Sequence, residues 1–233
     1  MTERASQRSN SRAGTGKQRG AYHHGNLRQA IIDAAVEVVS ESGVEAMTLR
    51  EAARRAGVSS GAPFRHFPGK RELVLAVAEQ GMAILRRDME RRLAQCKSEN
   101  PLVRMAVLAH AYVQWAMRHP THYRVLGDRL LIDFYSSEPL LADNRWIRDN
   151  MQHLLEKADE RGMLAVNDLA LANLQSRAMA YGLARMLVDG HFPEFDLAND
   201  DSAGAAMIDA LDGFVALLSR DPDGVLKEIR AHK

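Results

Sequence analysis

Residues 48–70 decide the fold, and they read TLREAARRAGVSSGAPFRHFPGK. Thr48 and Glu51 form a Thr-x-x-Glu capping box, which predicts a short helix over about 48–56. Gly57 ends this helix, because glycine readily takes the left-handed conformation of a tight turn. A second short helix follows the turn. Two short helices joined by a glycine-centred turn are the pattern of a helix-turn-helix, although an ordinary pair of packed helices would look the same.

The second helix of the motif is expected to run from Ser59 or Ser60 to Phe67. Pro63 is tolerated in its first turn if Ser60 is the cap, because first-turn amides have no partner within a helix. The small residues that begin it would let the backbone come close to DNA, and basic residues follow: Ser59, Ser60, Gly61 and Ala62, then Phe64, Arg65 and His66. A short helix of this composition fits the major groove.

The rest of the chain also has the apolar periodicity of helices, interrupted by glycine and proline. One helix is expected after Gly25 and ends at Gly43. Further helices are expected at about 70–97, 101–118, 120–131, 138–161, 167–190, 202–219 and 222–231. No segment alternates as a strand does. The sequence therefore predicts an all-α fold of near ten helices. A three-helix bundle with the helix-turn-helix occupies 25–70, and a larger helical ligand-binding and dimerisation domain occupies 71–233.

Charge is distributed unevenly, although the formal net charge is only +1. Residues 1–71 hold 12 Lys and Arg against 6 Asp and Glu, whereas residues 72–233 hold 19 against 24. This asymmetry predicts either a polyanion partner at the N-terminal end or only a basic, solvated tail. Residues 1–24 are rich in Ser, Arg, Gly and Gln and are expected to be a disordered basic arm. The arm would enter a minor groove or serve only for solubility.

Several classes of protein are not expected. No apolar run reaches membrane-spanning length, and the N-terminus lacks the apolar core of a secretory signal. The single cysteine, Cys96, fits a reducing cytoplasm. Residues 71–233 carry no phosphate loop, His-Glu-x-x-His or nucleophile elbow, so we expect no enzyme. His119 and His122 have metal-ligand spacing, but Pro120 separates them and no Cys or clear carboxylate completes a set, so we expect no metal and no cofactor.

Residues 22–75 resemble the DNA-binding domain of the TetR family of bacterial repressors. The matching pieces are the leading amphipathic helix, then TLREAARRAGVS, SSGAPFRHF and PGKRELV. The resemblance implies phosphate contacts at the two ends of the motif and groove contacts along its second helix. The implied DNA-contacting residues are Thr48, Arg50, Ser59, Ser60, Gly61, Ala62, Arg65, His66 and Lys70. Lys70 would hold phosphate together with the N-terminus of the helix that it opens.

Phe64 departs from the family pattern, which commonly has tyrosine at this position. The hydroxyl that would reach a phosphate is missing here. Phe64 stays a DNA-contact candidate if it packs against a sugar or a thymine methyl, but it would not contact DNA if it turned into the core. Arg54 and Arg55 are expected to be solvated or else to read bases.

Residues 118–126, RHPTHYRVL, resemble the sensor domain of a TetR subgroup. In the family this domain holds a pocket for a small, mostly apolar molecule, and ligand sites in helical domains form between helices. Candidate lining residues are Trp115, His119, Tyr123, Trp146, Met151, Met179 and Tyr181. Each would equally well fill a core, as aromatic and Met residues at helical spacing usually do.

The helices expected at 167–190 and 202–219 are apolar on more than one face, which indicates deep burial or a shared interface. Two such helices from each subunit would make a four-helix, two-fold interface, as the resemblance implies; an intrachain core is the alternative. The sequence therefore predicts a homodimeric repressor that binds near-palindromic double-stranded DNA and is released by a small effector. The alternatives are a DNA-binding activator without an effector, or a helical ligand-binding protein or enzyme with a vestigial DNA-binding domain.

Overall fold

Helices make up the regular structure of the chain, for which the computed structural model describes residues 27–197 and 199–232. Within these residues there are nine α-helices and three short 3-10 turns, and the one β-bridge pairs Leu164 with Ser219. The predicted all-α fold is confirmed. The basic arm predicted over 1–24 lies outside the described residues.

The α-helices are numbered in chain order. They are α1 Leu27–Ala46, α2 Leu49–Arg55, α3 Lys70–Gln95, α4 Pro101–Arg118, α5 Pro120–Gly127, α6 Glu138–Glu160, α7 Leu169–Val188, α8 Asp200–Leu217 and α9 Pro222–Ala231. The 3-10 turns are Ala62–Arg65, Phe134–Ser136 and Phe192–Phe195. No described helix combines the length and the apolar character that a membrane span requires.

Local hydrogen bonds begin and end α2 as predicted. The Thr48 Oγ1 accepts a hydrogen bond from the Glu51 amide at 3.1 Å, which caps the helix. Gly57 has a φ of 69°, and its amide donates to the Arg54 carbonyl at 3.2 Å. The Val58 amide donates to the Ala53 carbonyl at 3.0 Å. This pair of bonds closes the C-terminus of a helix and requires a left-handed residue, so glycine at position 57 sets the turn.

The second helix of the motif is shorter than predicted. Instead of a helix from Ser59 or Ser60 to Phe67, one 3-10 turn forms over Ala62–Arg65. Pro63 explains the difference. In an α-helix the amide of residue 63 would donate to the Ser59 carbonyl, but proline has no amide hydrogen. The Ala62 amide bonds that carbonyl at 2.9 Å instead, which gives the tighter pattern of a 3-10 turn.

The recognition segment, residues 59–66, rests on the core of the N-terminal bundle. Pro63 is buried within the segment, and Phe67, just after it, is 2% exposed. Phe67 packs with the apolar side chains that α1, α2 and α3 turn towards one another: Ile31, Ile32, Val38, Leu49, Ala52 and Leu73. The Arg28 guanidinium lies 5.3 Å from the centre of the Phe67 ring. These buried anchors fix the position of the segment on the bundle.

Helix α3 joins the two parts of the chain. Its 26 residues extend about 39 Å, and it contacts α1 as well as α4, α5 and α6. It contributes buried residues along its whole length, from Leu73 to Met89. The division into domains at 25–70 and 71–233 stays a prediction, since α3 packs against elements on both sides of that boundary.

The larger part of the molecule is built around α4. This helix contacts α3, α5, α6, α7, α8 and α9, and its side chains supply much of the core, including Leu102, Met105, Leu108, Ala111 and Trp115. Helices α7 and α8 pack against α4 and against each other. Where α3 crosses α5, a Cβ added at Gly81 would lie 2.7 Å from the Cβ of His122. The two helices therefore approach more closely than any side chain at position 81 allows.

We expect Gly81→Ala to destabilise the protein by about 1–3 kcal/mol, because the new methyl group must push α5 away from α3. The measurement is the free energy of unfolding from urea titration. Gly213→Ala in α8 is the control, since an added Cβ there meets nothing within 4 Å. Equal stability of Gly81→Ala and the unaltered protein would contradict the close crossing.

Candidate nucleic-acid interface and ligand cavity

The recognition segment faces solvent. Ser59, Ser60, Gly61, Arg65 and His66 are exposed, and Ala62 is half-buried. Gly61 has an ordinary helical φ of −87°, and an added Cβ there would meet nothing within 4 Å. The fold therefore does not require glycine at position 61, and the open space beside it is free for a partner.

Phe64 lies on the same exposed segment, with 55% of its surface accessible. Of the alternatives for this residue, burial in the core is therefore wrong. Its ring remains accessible to a partner because the neighbouring Pro63, rather than Phe64, supplies the apolar anchor of the segment.

The remaining DNA-contact candidates lie at the beginnings of α2 and α3. Thr48 and Arg50 are exposed at the start of α2. Lys70 is the first residue of α3, and its Nζ donates to the Glu45 carbonyl at 3.0 Å. This bond brings the beginning of α3 beside the loop that leads to Thr48. The structure thus places these candidates on two neighbouring helix starts.

Arg54 and Arg55 are engaged within the bundle. Arg54 forms two hydrogen bonds to the Glu51 carboxylate, and Arg55 forms two to the Glu41 carboxylate at 2.6 and 2.5 Å. The hydrogen bond from Arg55 lowers the pKa of the exposed Glu41. Arg55 also lies 3.5 Å from Glu37, so it fastens α2 to α1. Its role is therefore to hold the bundle together.

A cavity of about 690 Å³ lies between α3, α4, α5, α6 and α7. Most of its wall is apolar, and the lining includes Met82, Leu85, Met89, Leu108, Ile147 and Met151. Its volume suits a small organic ligand. Leu174, Ala178 and Tyr181 of α7 line the cavity and are also exposed, so the cavity reaches the surface of the single chain along that helix.

The residues predicted to contact a ligand are divided between the cavity wall and the surrounding core. Tyr123, Met151 and Tyr181 line the cavity, whereas Trp115, His119, Trp146 and Met179 are not among its lining residues. Trp115 is fully buried, with its ring 6.1 Å from that of Tyr123 and 6.4 Å from that of His119. Trp146 lies under the Arg86 guanidinium at 5.2 Å. Met179 is half-buried against the core. The ligand contacts themselves stay predictions.

Sequence reasoning missed the polar side chains of the cavity. Arg177 of α7 lines it, and its Nη2 donates to the Asn144 Oδ1 at 2.8 Å. Asn173 also lines it, and its Nδ2 donates to the Gln152 Oε1 at 3.1 Å and to the Arg148 carbonyl at 3.3 Å. A signal was present, since Asn173 and Arg177 are four residues apart and share one face of a mainly apolar helix.

A chain of hydrogen bonds links the cavity to the N-terminal bundle. His122 follows Thr121 on α5 and precedes the cavity residue Tyr123. The Nε2–H of His122 donates to the Gln80 Oε1 on α3 at 2.9 Å. The Gln80 Nε2 then donates to the Asp33 Oδ1 on α1 at 2.7 Å. We call His122, Gln80 and Asp33 the α5–α1 relay. Burial lowers the pKa of His122 to about 4, so the imidazole is neutral near pH 7.

The comparisons with known proteins agree with this architecture. The family model described as bacterial regulatory proteins, tetR family, matches residues 31–77. The model of the tetracyclin repressor-like C-terminal domain matches residues 105–219. The chain is 31% identical over 202 residues to the HTH-type transcriptional regulator SrpR of Pseudomonas putida, covering 86% of this chain and 89% of that protein. This chain belongs to the TetR family.

Other known proteins match over shorter stretches or in fold. The HTH-type transcriptional repressor AcnR of Corynebacterium diphtheriae is 31% identical over 131 residues, which cover 56% of this chain and 60% of AcnR. A protein of unknown function from Rhodococcus sp. RHA1 superposes with a TM-score of 0.70 at 27% identity, over 85% of this chain and 98% of that one. The ketosteroid regulator KstR2 of Mycobacterium tuberculosis shares the fold, with a TM-score of 0.63 at 20% identity, over 83% and 95% of the two chains. SrpR and AcnR are named as transcriptional regulators rather than enzymes, and the helix-turn-helix is the DNA-binding element of this TetR-family regulator.

The low pKa of His122 predicts a dependence of stability on pH. An unfolded histidine has a pKa of about 6.5, so between that pH and about 4 the unfolded chain binds a proton that the folded chain does not. The contribution of His122 to stability is therefore present above pH 6.5 and is lost as the pH falls towards 4. His119, which lies between α4 and α5, lowers this pKa further, and Asp33 on α1 raises it.

We expect His122→Asn to lose less stability than the unaltered protein between pH 7 and pH 5, measured as the free energy of unfolding in urea. His153→Asn, at an exposed position of α6, is the matched control and should behave like the unaltered protein. An identical loss in His122→Asn and the unaltered protein would show that His122 does not carry this effect.

Proposed function

We propose that this TetR-family regulator is a dimeric repressor that binds near-palindromic operator DNA and leaves it when a small molecule occupies the cavity. The observation that carries the proposal is the recognition segment. It faces solvent along residues 59–66, while buried Pro63 and Phe67 hold it in place. A rigid, exposed segment of this shape has the properties that insertion into a major groove requires.

The proposed DNA contacts divide into two kinds. Small residues from Ser59 to Ala62 allow close approach to the base edges, and Arg65 and His66 follow with hydrogen-bond donors. Phe64 packs against a sugar or a thymine methyl. Thr48, Arg50 and Lys70 contact phosphates on either side, at the starts of α2 and α3. Phosphate contacts make the affinity fall steeply as the salt concentration rises.

The proposed dimer forms through α7 and α8. On α7, Leu171 is 47% exposed, Leu174 65% and Tyr181 46%, and on α8 Leu217 is 72% exposed. Large apolar side chains grouped on neighbouring helices are typical of a protein interface. Pairing two copies through these helices gives a four-helix interface with a two-fold axis. That axis presents two recognition segments to successive major-groove faces of one operator.

The proposed release of DNA uses the α5–α1 relay. Tyr123 and Leu126 of α5 line the cavity, so an occupant contacts the helix that also carries His122. A shift of α5 is transmitted to α1 through Gln80 and Asp33, and α1 belongs to the bundle that holds the recognition segment. The effector needs only to bind the shifted arrangement more tightly than the DNA-competent one.

We expect Arg65→Ala to weaken operator binding by about 1–3 kcal/mol and Arg50→Ala to reduce the slope of log affinity against log salt by about 1. Gly61→Leu is expected to abolish binding without loss of stability, because its side chain projects into the space that DNA would occupy. The measurements are mobility-shift titrations on an operator selected from random DNA, at several salt concentrations.

Arg54→Ala is the matched control for the arginine substitutions, since Arg54 is an exposed cation already paired with Glu51. It should bind the operator as the unaltered protein does. Unchanged affinity in both Arg65→Ala and Gly61→Leu would refute the assigned DNA surface.

We expect the double substitution Leu171→Glu and Leu217→Glu to produce a folded monomer, because paired copies would bury four uncompensated carboxylates. Light scattering after size exclusion gives the mass, and circular dichroism checks the fold. Leu130→Glu is the matched control, since Leu130 is 97% exposed and lies outside α7 and α8. A dimer that persists in the double variant would locate the subunit interface elsewhere.

A further inference from the structure

The cavity contains a cation that has no carboxylate beside it. Arg177 is half-buried in the wall, and its one hydrogen bond among the described residues is to the neutral amide of Asn144. Burial lowers the pKa of Arg177, and the nearby Arg148 lowers it further. A buried charge without a counter-charge is costly, so an anionic partner would relieve that cost.

Other groups of the wall do not neutralise Arg177. Asp149 is the one acidic residue of the cavity lining, and its carboxylate accepts a hydrogen bond from Arg148 at 2.8 Å. Arg129, a further lining residue, lies over the Phe134 ring at 3.7 Å. The hydroxyl of Tyr112 lies near Arg177, but burial raises the pKa of Tyr112, so it stays neutral. The described lining therefore carries three arginines against one aspartate.

A second observation lies one helical turn away. Asn173 is 6% exposed, and its Oδ1 is buried without a hydrogen-bond partner among the described residues. Both donor interactions of Asn173 go through its Nδ2, so the side chain is held in place while its acceptor stays unused. Together, α7 places a guanidinium donor in the cavity wall and, four residues earlier, a buried amide oxygen that has no donor among the described residues.

We propose that the cavity binds an apolar carboxylic acid as its monoanion. The carboxylate pairs with the Arg177 guanidinium, which matches the geometry of two parallel hydrogen bonds. The apolar remainder lies against Met82, Leu85 and Met89 of α3. The inference rests on the proposed ligand response, because it assigns the chemical class of the effector.

A singly charged head fits this site better than a phosphate does. Of the three lining arginines, Arg148 is paired with Asp149 and Arg129 lies over the Phe134 ring, so Arg177 is the guanidinium that remains for an anion. Because its surroundings are mainly apolar, a second negative charge would stay uncompensated. A neutral ligand would leave Arg177 as it is in the empty cavity. The expected order of affinity is therefore carboxylate above alcohol above ammonium for ligands with the same apolar chain.

The test uses decanoate, 1-decanol and decylammonium with the full-length protein, with binding measured by isothermal titration calorimetry at pH 7. Decanoate is expected to bind about tenfold or more tightly than decanol, which corresponds to about 1.4 kcal/mol. Arg177→Met should remove this preference, and Arg177→Lys should retain most of it. Arg185→Met is the matched control on the same helix, since Arg185 pairs with Asp189 and does not line the cavity.

Decanol binding as tight as decanoate, or an undiminished preference in Arg177→Met, would overturn the inference. Arg177→Met is expected to unfold at the same or a higher temperature than the unaltered protein without ligand, since it removes an uncompensated charge. If that variant does not fold, the comparison of the three ligands on the unaltered protein still decides the matter.

Measurements of DNA binding and of ligand binding on this protein separate a failure of this inference from a failure of the proposed function. Operator binding without a carboxylate preference would leave the DNA-binding proposal standing and overturn the ligand assignment. A carboxylate preference that depends on Arg177, with no binding to any selected DNA, would leave the ligand assignment standing and overturn the DNA-binding proposal. Release of bound operator by decanoate but not by decanol would support both.

Discussion

Helices α3 and α5 meet at Gly81, where a hydrogen atom stands in place of a side chain and His122 packs directly against the backbone. The arrangement of the rest of the molecule depends on this contact. Helix α3 carries the N-terminal bundle at its beginning and part of the cavity wall at its end, and α5 supplies another part of that wall. Because protein interiors are densely packed, neither helix moves alone at such a crossing. The relay through Gln80 and Asp33 lies beside it and extends the same coupling to α1.

The polar groups of the cavity contribute less to stability than apolar residues would. Among the described residues, Arg177 has no counter-charge and the buried Asn173 Oδ1 has no donor. Groups of this kind are retained where they serve a bound molecule, since unsatisfied polar atoms cost free energy in its absence. The contrast with α2 is informative, because there Arg54 and Arg55 both pair with carboxylates and strengthen the bundle.

The sequence predicted those features that short segments determine. The Thr48 cap and the left-handed Gly57 follow from residues within a few positions of each other, and prolines mark the beginnings of α4, α5 and α9. The recognition turn is shorter than the sequence predicts, because Pro63 leaves the Ser59 carbonyl without its α-helical partner. This difference comes from one hydrogen bond, because every buried backbone amide and carbonyl group needs a partner.

The composition of the cavity wall was harder to predict. Trp115 and Tyr123 are both aromatic, yet one is fully enclosed and the other lines the cavity, and only the packing of α4 against its neighbours separates them. Hydrophobic periodicity shows which face of a helix is buried, but it does not show which parts of the neighbouring helices, or which cavity, that face meets. Arg177 lies on α7, whose sequence is mainly apolar, and periodicity alone does not show that this cation faces the cavity while Arg185 of the same helix pairs with Asp189 at the surface.

Helix α7 has one further consequence. Leu174, Ala178 and Tyr181 belong to the cavity wall and to the outward surface at once. In the dimer proposed through α7 and α8, these side chains would line the cavity and contact the partner subunit at the same time, so subunit pairing and access to the cavity would be linked.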